Sequence, residues 1–246
     1  MFRSLITIIF ILLFFIVSIP ILLIELLVKK FSQEAYEYSQ LRIVQWAFRV
    51  VQFLSGVKLT MIGFENIPKD EPVLFVGNHQ SIYDVVVTYG HVPNMTAFIS
   101  KDSMKKVPII STYMKRIHCL FLERDNLRDG LRVINAAIDL IKQGVSVVVY
   151  PEGHRNQSGD CMKVAEFKNG SFKIAQRTGC TIIPMAAVNT PNIFEAHVPW
   201  LKKTHVVLEF GKPVKYDDLT PEQKKNIGEH FRGIILDMLE KDKALV

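Results

Sequence analysis

The sequence predicts an α/β fold: a mostly parallel sheet flanked by helices, preceded by an N-terminal helical pair. Three observations carry this expectation. Short β-rich runs alternate with helical stretches from residue 57 onward, which is the pattern of βαβ units. Hydrophobic residues make up 49% of the 246-residue chain, and the excess sits at the N-terminus. Two of the apolar runs end in polar turns loaded with His, Asp, Glu and Arg, as expected where ligands meet the carboxyl ends of strands. The predicted organisation is a two-helix membrane-associating module over 1–56 and an α/β domain over 57–246.

Within 5–28 only Thr7, Ser18, Pro20 and Glu25 are not plainly apolar. At ~1.5 Å per residue, such a segment can span a hydrocarbon core of ~30 Å. It is too long for the apolar core of a signal peptide, and no small-residue cleavage site precedes Lys29-Lys30. Arg3 on one side and Lys29 and Lys30 on the other leave orientation, and spanning versus one-leaflet attachment, undecided. The next segment, 32–55, places Leu41, Val44, Phe48 and Val51 at helical spacing; Ser32 or Gln33 can begin a helix there and Gly56 can end it. Folded back on the first, it completes the expected module.

Predicted strands occupy 58–62, 73–77, 96–100, 119–122, 145–150, 181–187 and 206–210, and predicted helices occupy 126–143, 165–177 and 221–241. Lys142-Gln143-Gly144 and Arg177-Thr178-Gly179 are helix stops, with glycine free to take the left-handed cap. The sequence contains no internal repeat, low-complexity tract or long linker.

The net charge of +6 selects acidic partners. Aromatic–basic interleaving and nucleic-acid motifs are lacking, so the sequence implies no nucleic acid. The basic residues Lys29, Lys30, Arg42 and Arg49 stand near the hydrophobic module and fit a phospholipid membrane, where each such charge contributes about 1 kcal/mol. Cys119, Cys161 and Cys180 are widely spaced and offer neither a disulfide framework nor a zinc site, so reduced thiols and no metal are expected.

The run Val73-Leu74-Phe75-Val76 leads into Asn78-His79-Gln80-Ser81-Ile82-Tyr83-Asp84, and Val145 to Tyr150 leads into Pro151-Glu152-Gly153-His154-Arg155. A lone His-x4-Asp is weak, since a histidine at a strand end beside a first-turn acid is ordinary structure. Joined to the second motif, and with Leu120-Phe121-Leu122-Glu123-Arg124 and Thr181-Ile182-Ile183-Pro184 in order, the set resembles the glycerolipid acyltransferase family, specifically its lysophosphatidate acyltransferases. The resemblance covers roughly 57–215. It departs at His154, where the family usually has Thr.

The resemblance implies a glycerol-3-phosphate-acyltransferase-like fold and a membrane-bound enzyme. Its reaction would move an acyl chain from a thioester to the sn-2 hydroxyl of 1-acyl-glycerol-3-phosphate (lysophosphatidate), giving phosphatidate. His79 would be the general base with Asp84 orienting it, the logic of a catalytic triad in which the substrate hydroxyl replaces serine. A G-x-S-x-G motif is lacking and no cysteine lies near either motif, so an acyl-enzyme is not implied. Ser81 suits the cap of the helix that follows. Arg124 and Arg155 are the cations matched to the acceptor phosphate. Lys101 is a further phosphate candidate, against the reading of a solvated lysine, and Arg124 has the ordinary alternative of pairing with Glu123 or Asp125. Glu152 and Gly153 join the acceptor site by resemblance. No cofactor is implied beyond the donor substrate, acyl-CoA or acyl-carrier protein, and the catalytic domain is expected to face the cytoplasm. The alternatives are another lysolipid or glycerol 3-phosphate as acceptor, a lipid-binding protein without catalysis, and a lipid hydrolase.

Overall fold

A computed structural model describes every residue of 1–246 except Asp125. Helices α1 (Phe2–Phe31) and α2 (Gln33–Ser55) are joined through Ser32, whose side chain accepts from Ala35 N and so starts α2. The pair is an antiparallel hairpin, because Arg3 reaches Leu54 O while Glu25 meets Ser39 Oγ at 2.5 Å. Gly56 ends α2 at φ +80°. Beyond it lie β1 (Val57–Ile62), β2 (Val73–Gly77), α3 (Ile82–Tyr89), β3 (Thr96–Lys101), α4 (Pro108–Arg116), β4 (Leu120–Leu122), α5 (Leu127–Lys142) and β5 (Ser146–Val149). The chain continues through α6 (Lys173–Thr178), β6 (Thr181–Val188), β7 (Thr204–Phe210), β8 (Val214–Lys215), α7 (Pro221–Lys225) and α8 (Ile227–Asp242).

The strands form one sheet in the order β1-β7-β6-β2-β5-β3-β4, with β8 also paired to β6. The sheet is mixed, which refines the mostly parallel expectation. From β6 through β2, β5 and β3 to β4 every pairing is parallel, whereas β7 and β8 each run antiparallel to β6. All seven predicted strands are present to within one or two residues; the two-residue β8 is additional. Strands β2, β5 and β6 are buried along their whole length and read as continuous apolar runs for that reason.

Two predicted helices are corrected. The segment 165–177 is α-helical only over α6, which a 3-10 turn at Asn169–Phe172 precedes. Its start, 165–168, is held as loop by tertiary hydrogen bonds: Ala165 N to Glu152 Oε2 (2.9 Å), Lys168 N to Pro151 O (3.1 Å) and, just ahead of it, Arg232 Nε to Val164 O (3.0 Å). The segment 221–241 breaks at Asn226 into α7 and α8. There Gly228 donates to Asn169 Oδ1 and approaches Phe167 O so closely that a Cβ would lie 2.3 Å from it. Helix α4, not foreseen, starts with Pro108 at its first turn, where a missing N–H costs nothing.

The hairpin is only partly the expected module. Among the described residues, helix α1 alone is long and apolar enough to cross a membrane. Helix α2 is bolted to the domain: Leu41 and Val44 join the main core, and Gln45 and Gln52 donate to Val92 O and Val86 O at 2.7 and 2.8 Å. The side chains α1 buries are polar, namely Ser4, Thr7, Ser18 and Glu25, while Leu5, Ile9, Leu12, Ile16, Leu23 and Leu27 stand exposed.

A buried acid marks the end of α8. Neither Asp242 oxygen has a hydrogen-bond donor among the described residues, nor does Oε2 of Glu209; Glu209 Oε1 accepts from Lys241 Nζ at 3.0 Å. Burial, with Glu209 adding to it, pushes the Asp242 pKa up to about 6. A folded-state value above the unfolded one stabilises fully below the unfolded pKa, and that stability is lost as pH rises through the folded pKa. Asp242 is therefore expected to contribute a loss of Tm between about pH 4 and pH 7, and Asp242→Asn to remove that component of the profile. The gain near pH 7.5 should be on the order of 2–3 kcal/mol, read by thermal melts across pH.

Candidate active site

The parallel strands β2, β5, β3 and β4 present their carboxyl ends on one rim, and each predicted site residue lies at or beyond one of these ends. His79 leaves β2 just before α3. Ser81 caps that helix, its Oγ accepting from Tyr83 N at 2.9 Å, and Asp84 in the first turn accepts back from Ser81 N at 2.8 Å. The same Asp84 Oδ2 meets His79 Nδ1 at 2.9 Å and Gln80 N at 2.6 Å, and Thr190 Oγ1 donates to Oδ1. The acid is thus both cap and histidine partner. With Nδ1–H donating to a fixed carboxylate, the neutral imidazole keeps its lone pair on Nε2.

The imidazole is held on a second side by Tyr150, whose ring stacks on it at 4.2 Å with 13° between planes. Burial, reinforced by the Asp84 charge, raises the Tyr150 phenol well above its ordinary pKa, so the stacking ring stays neutral. The side chain of His79 remains 12% exposed. Asn78 exchanges two hydrogen bonds with Ala187 on β6 (3.0 and 2.9 Å), which anchors the end of β2.

Glu152 sits differently from the acceptor contact the resemblance implies. It is 2% exposed, and both oxygens are taken by main-chain donors: Oε1 by His79 N (2.7 Å) and Oε2 by Ala165 N (2.9 Å). Burial raises its pKa, and these two N–H groups partly offset the rise. Gly153 turns the chain at φ +75°, a conformation that favours glycine, and a Cβ there would lie 3.0 Å from Lys168 Nζ. The turn is closed by Gly153 N to Tyr150 O (3.0 Å) and tied to the histidine by Asn156 N to His79 O (2.7 Å).

Arg155 is exposed and pairs with Glu195 at 3.4 Å. Glu195 also accepts from Ser81 Oγ (2.7 Å) and Ile82 N (2.8 Å), so one carboxylate links the first turn of α3 to the arginine. Lys101 ends β3 and Arg124 follows β4, both exposed. At ~4.8 Å per strand they stand roughly 10 and 14 Å along the rim from β2. The structure therefore gathers His79, Asp84, Glu152, Gly153 and Arg155 into one cluster and spreads Lys101 and Arg124 along its flank. Of the pairing expected for Arg124, the Asp125 half lies outside the described residues. His154 is exposed beside this cluster.

Tyr150, Lys168, Thr190 and Glu195 were not foreseen as site residues. Tyr150 carried a signal, standing next to the Pro-Glu-Gly turn. Thr190 and Glu195 come from more than 100 residues away in sequence and carried none.

The rim of this mixed α/β sheet carries a His–Asp pair beside a cationic turn. A family model described as Acyltransferase matches residues 58–188, over half the chain; the chain belongs to this family and is an acyltransferase. Its similar proteins include the 1-acyl-sn-glycerol-3-phosphate acyltransferase of Borreliella burgdorferi, 29% identical over 79% of this chain and 77% of that one. The protein of the same name from Saccharomyces cerevisiae is 24% identical over 81% and 67%, respectively. A probable 1-acyl-sn-glycerol-3-phosphate acyltransferase of Mycoplasma genitalium is 27% identical over 87% and 84%. The crystal structure of the 1-acyl-sn-glycerophosphate acyltransferase PlsC from Thermotoga maritima shares the fold, with a TM-score of 0.75 at 24% identity over 98% of this chain and 99% of that one.

Proposed function

We propose that the chain is a membrane-bound 1-acyl-sn-glycerol-3-phosphate O-acyltransferase that forms phosphatidate by direct attack of the acceptor on an acyl-thioester. The observation that carries the mechanism is the His79 Nδ1–Asp84 Oδ2 contact at 2.9 Å on an accessible histidine. In the step, His79 Nε2 takes the proton of the sn-2 hydroxyl as its oxygen bonds to the thioester carbon. The tetrahedral oxyanion then collapses, the C–S bond breaks, and the leaving thiolate takes the proton back from the imidazolium. Asp84 offsets the positive charge that forms on His79 in between.

No protein nucleophile is required. The Ser81 hydroxyl is committed to Tyr83 N and Glu195. Cys119, buried in the core, has its thiol pushed up to about 12 by desolvation. The acceptor phosphate would lie against Arg155, with Lys168, Lys101 and Arg124 as the flanking cations. Glu152 and Gly153 would serve the acceptor by shaping the turn that carries Arg155. The Arg155–Glu195 pair is solvent-accessible and so of little net strength, which leaves the guanidinium available to phosphate. Arg155→Ala is expected to raise the acceptor KM by about 10- to 100-fold with a smaller change in kcat, the loss of one charge-assisted contact. Arg124→Ala should act in the same direction.

Membrane attachment is supported by the inverted burial of α1, which turns its polar side chains to the protein and its apolar ones outward. The inward stripe is engaged from end to end: Ser4 Oγ with Leu201 N (2.8 Å), Ser18 Oγ with Tyr113 OH (3.1 Å) and Leu22 O with Arg116 (3.2 Å). A helix docked along its length favours lying in one leaflet beside the domain over standing through the bilayer. The domain would face the cytoplasm, where both candidate donors are found.

The test is thiol release and phosphatidate formation by the detergent-purified protein with lysophosphatidate. Acyl-CoA and acyl-carrier protein are supplied in turn as donor, with glycerol 3-phosphate as a control acceptor. Acceptor-dependent release is expected with at least one donor. Release that ignores the acceptor would identify a thioesterase, and no release with either donor would sink the proposal.

A further inference from the structure

The segment between β6 and β7 folds back on itself as a compact loop. Lys202 N donates to Ile193 O at 2.9 Å and closes its base, and His197 N and Trp200 N are bonded internally to Phe194 O (2.8 Å) and His197 O (2.7 Å). The inner end of this loop holds Glu195, which joins α3 to Arg155. Its outer end leaves Val198 63% and Trp200 45% exposed, followed by exposed Lys202 and Lys203. An exposed Val–Pro–Trp tip on an otherwise satisfied loop calls for an explanation.

The surroundings of the tip supply one. Leu201 N donates to Ser4 Oγ at 2.8 Å, which fastens the tip to the first turn of α1. There Met1, Phe2 and Leu5 are exposed by 83, 77 and 59%. The apolar tip is therefore continuous with the outward face of α1. Tryptophan, with an apolar ring and a polar N–H, is the residue type suited to the headgroup boundary. Two lysines beside it match an anionic surface.

We infer that the 193–202 loop is a second lipid-contact element, in which Trp200 and Val198 enter the boundary of an anionic phospholipid bilayer and Lys202, with Lys203 just beyond the loop, meets its headgroups. This rests on the proposed attachment through α1. It adds that the bilayer is read by the same ten-residue loop whose other end, through Glu195, is bonded to the first turn of α3 and faces Arg155. Membrane contact is then joined to the helix that follows His79.

The sequence has two tryptophans, so Trp46→Phe isolates the emission of Trp200. The full-length Trp46→Phe protein is mixed with phosphatidylglycerol–phosphatidylcholine vesicles containing brominated phosphatidylcholine, and binding is followed in parallel by co-sedimentation. Bound protein whose Trp200 emission shifts to the blue and is quenched supports the inference. Bound protein with unquenched Trp200 overturns it while leaving attachment through α1 intact. Protein that does not sediment with vesicles overturns both. As a second variant, Trp200→Glu on the native background changes an exposed side chain and should leave the melting profile intact. It should lower turnover of vesicle-borne acceptor by about tenfold, the loss of one large apolar side chain from the interface, while sparing a water-soluble short-chain acceptor. Equal activity of Trp200→Glu and the parent on vesicles would count against it.

Discussion

His79→Ala is expected to lower acceptor-dependent thiol release by at least ~10²-fold without unfolding the protein, because it removes the only proposed base. The fold should survive. The histidine side chain is packed on one face by Tyr150 and makes a single side-chain hydrogen bond, whereas the main chain at residue 79 is held independently by Glu152 and Asn156. Asp84 variants should behave differently. Asp84 also caps α3 and accepts from Gln80, Ser81 and Thr190, so Asp84→Ala leaves several buried donors without a partner and should lose stability together with rate. The contrast is measurable as turnover against Tm for the two variants. A His79→Ala protein with near-normal turnover would refute direct general-base attack, whatever Asp84→Ala did.

The parts of this molecule that were legible in the sequence are those where one local rule suffices. Strands buried on both faces need unbroken apolar runs, and 73–77, 145–150 and 181–187 announce β2, β5 and β6 accordingly. The capping role of Ser81 followed from its place ahead of a helix. What failed to show is what long-range contacts decide. The helix expected over 165–177 loses its start because Ala165 N finds the Glu152 carboxylate, a partner 13 residues away. Thr190 and Glu195 complete the surroundings of Asp84 and Arg155 from the far side of β6, beyond any local pattern. Helix α1 illustrates both sides. Its apolar length was plain, but Thr7, Ser18 and Glu25 read only as interruptions, whereas they are the face by which the helix docks.

Glu152→Gln is expected to lower kcat by more than ~10-fold with a smaller change in the acceptor KM, and this separates two roles for the residue. A glutamate that touched the acceptor would, when changed to glutamine, act chiefly on KM. The observed carboxylate instead receives one main-chain N–H on each oxygen, from His79 and from Ala165. Glutamine has one oxygen, so an amide NH2 must face one of those donors, at a cost of about 1–3 kcal/mol for a buried N–H left unmatched. The Ala165 side is loop and can move. The His79 side carries the base, and a displacement of ~1 Å there can cost on the order of 10²-fold in rate. Glu152→Asp keeps two acceptors on a shorter stem that cannot reach both donors, so it should resemble Glu152→Gln rather than the parent. The decisive readout is the pH dependence of kcat/KM. If Glu152 holds the His79 main chain, its variants alter the environment of the imidazole and displace the limb assigned to His79, the limb that His79→Ala abolishes. If the variants raise KM alone and leave that limb in place, Glu152 acts on the acceptor directly, and the holding role drawn from its two hydrogen bonds is wrong.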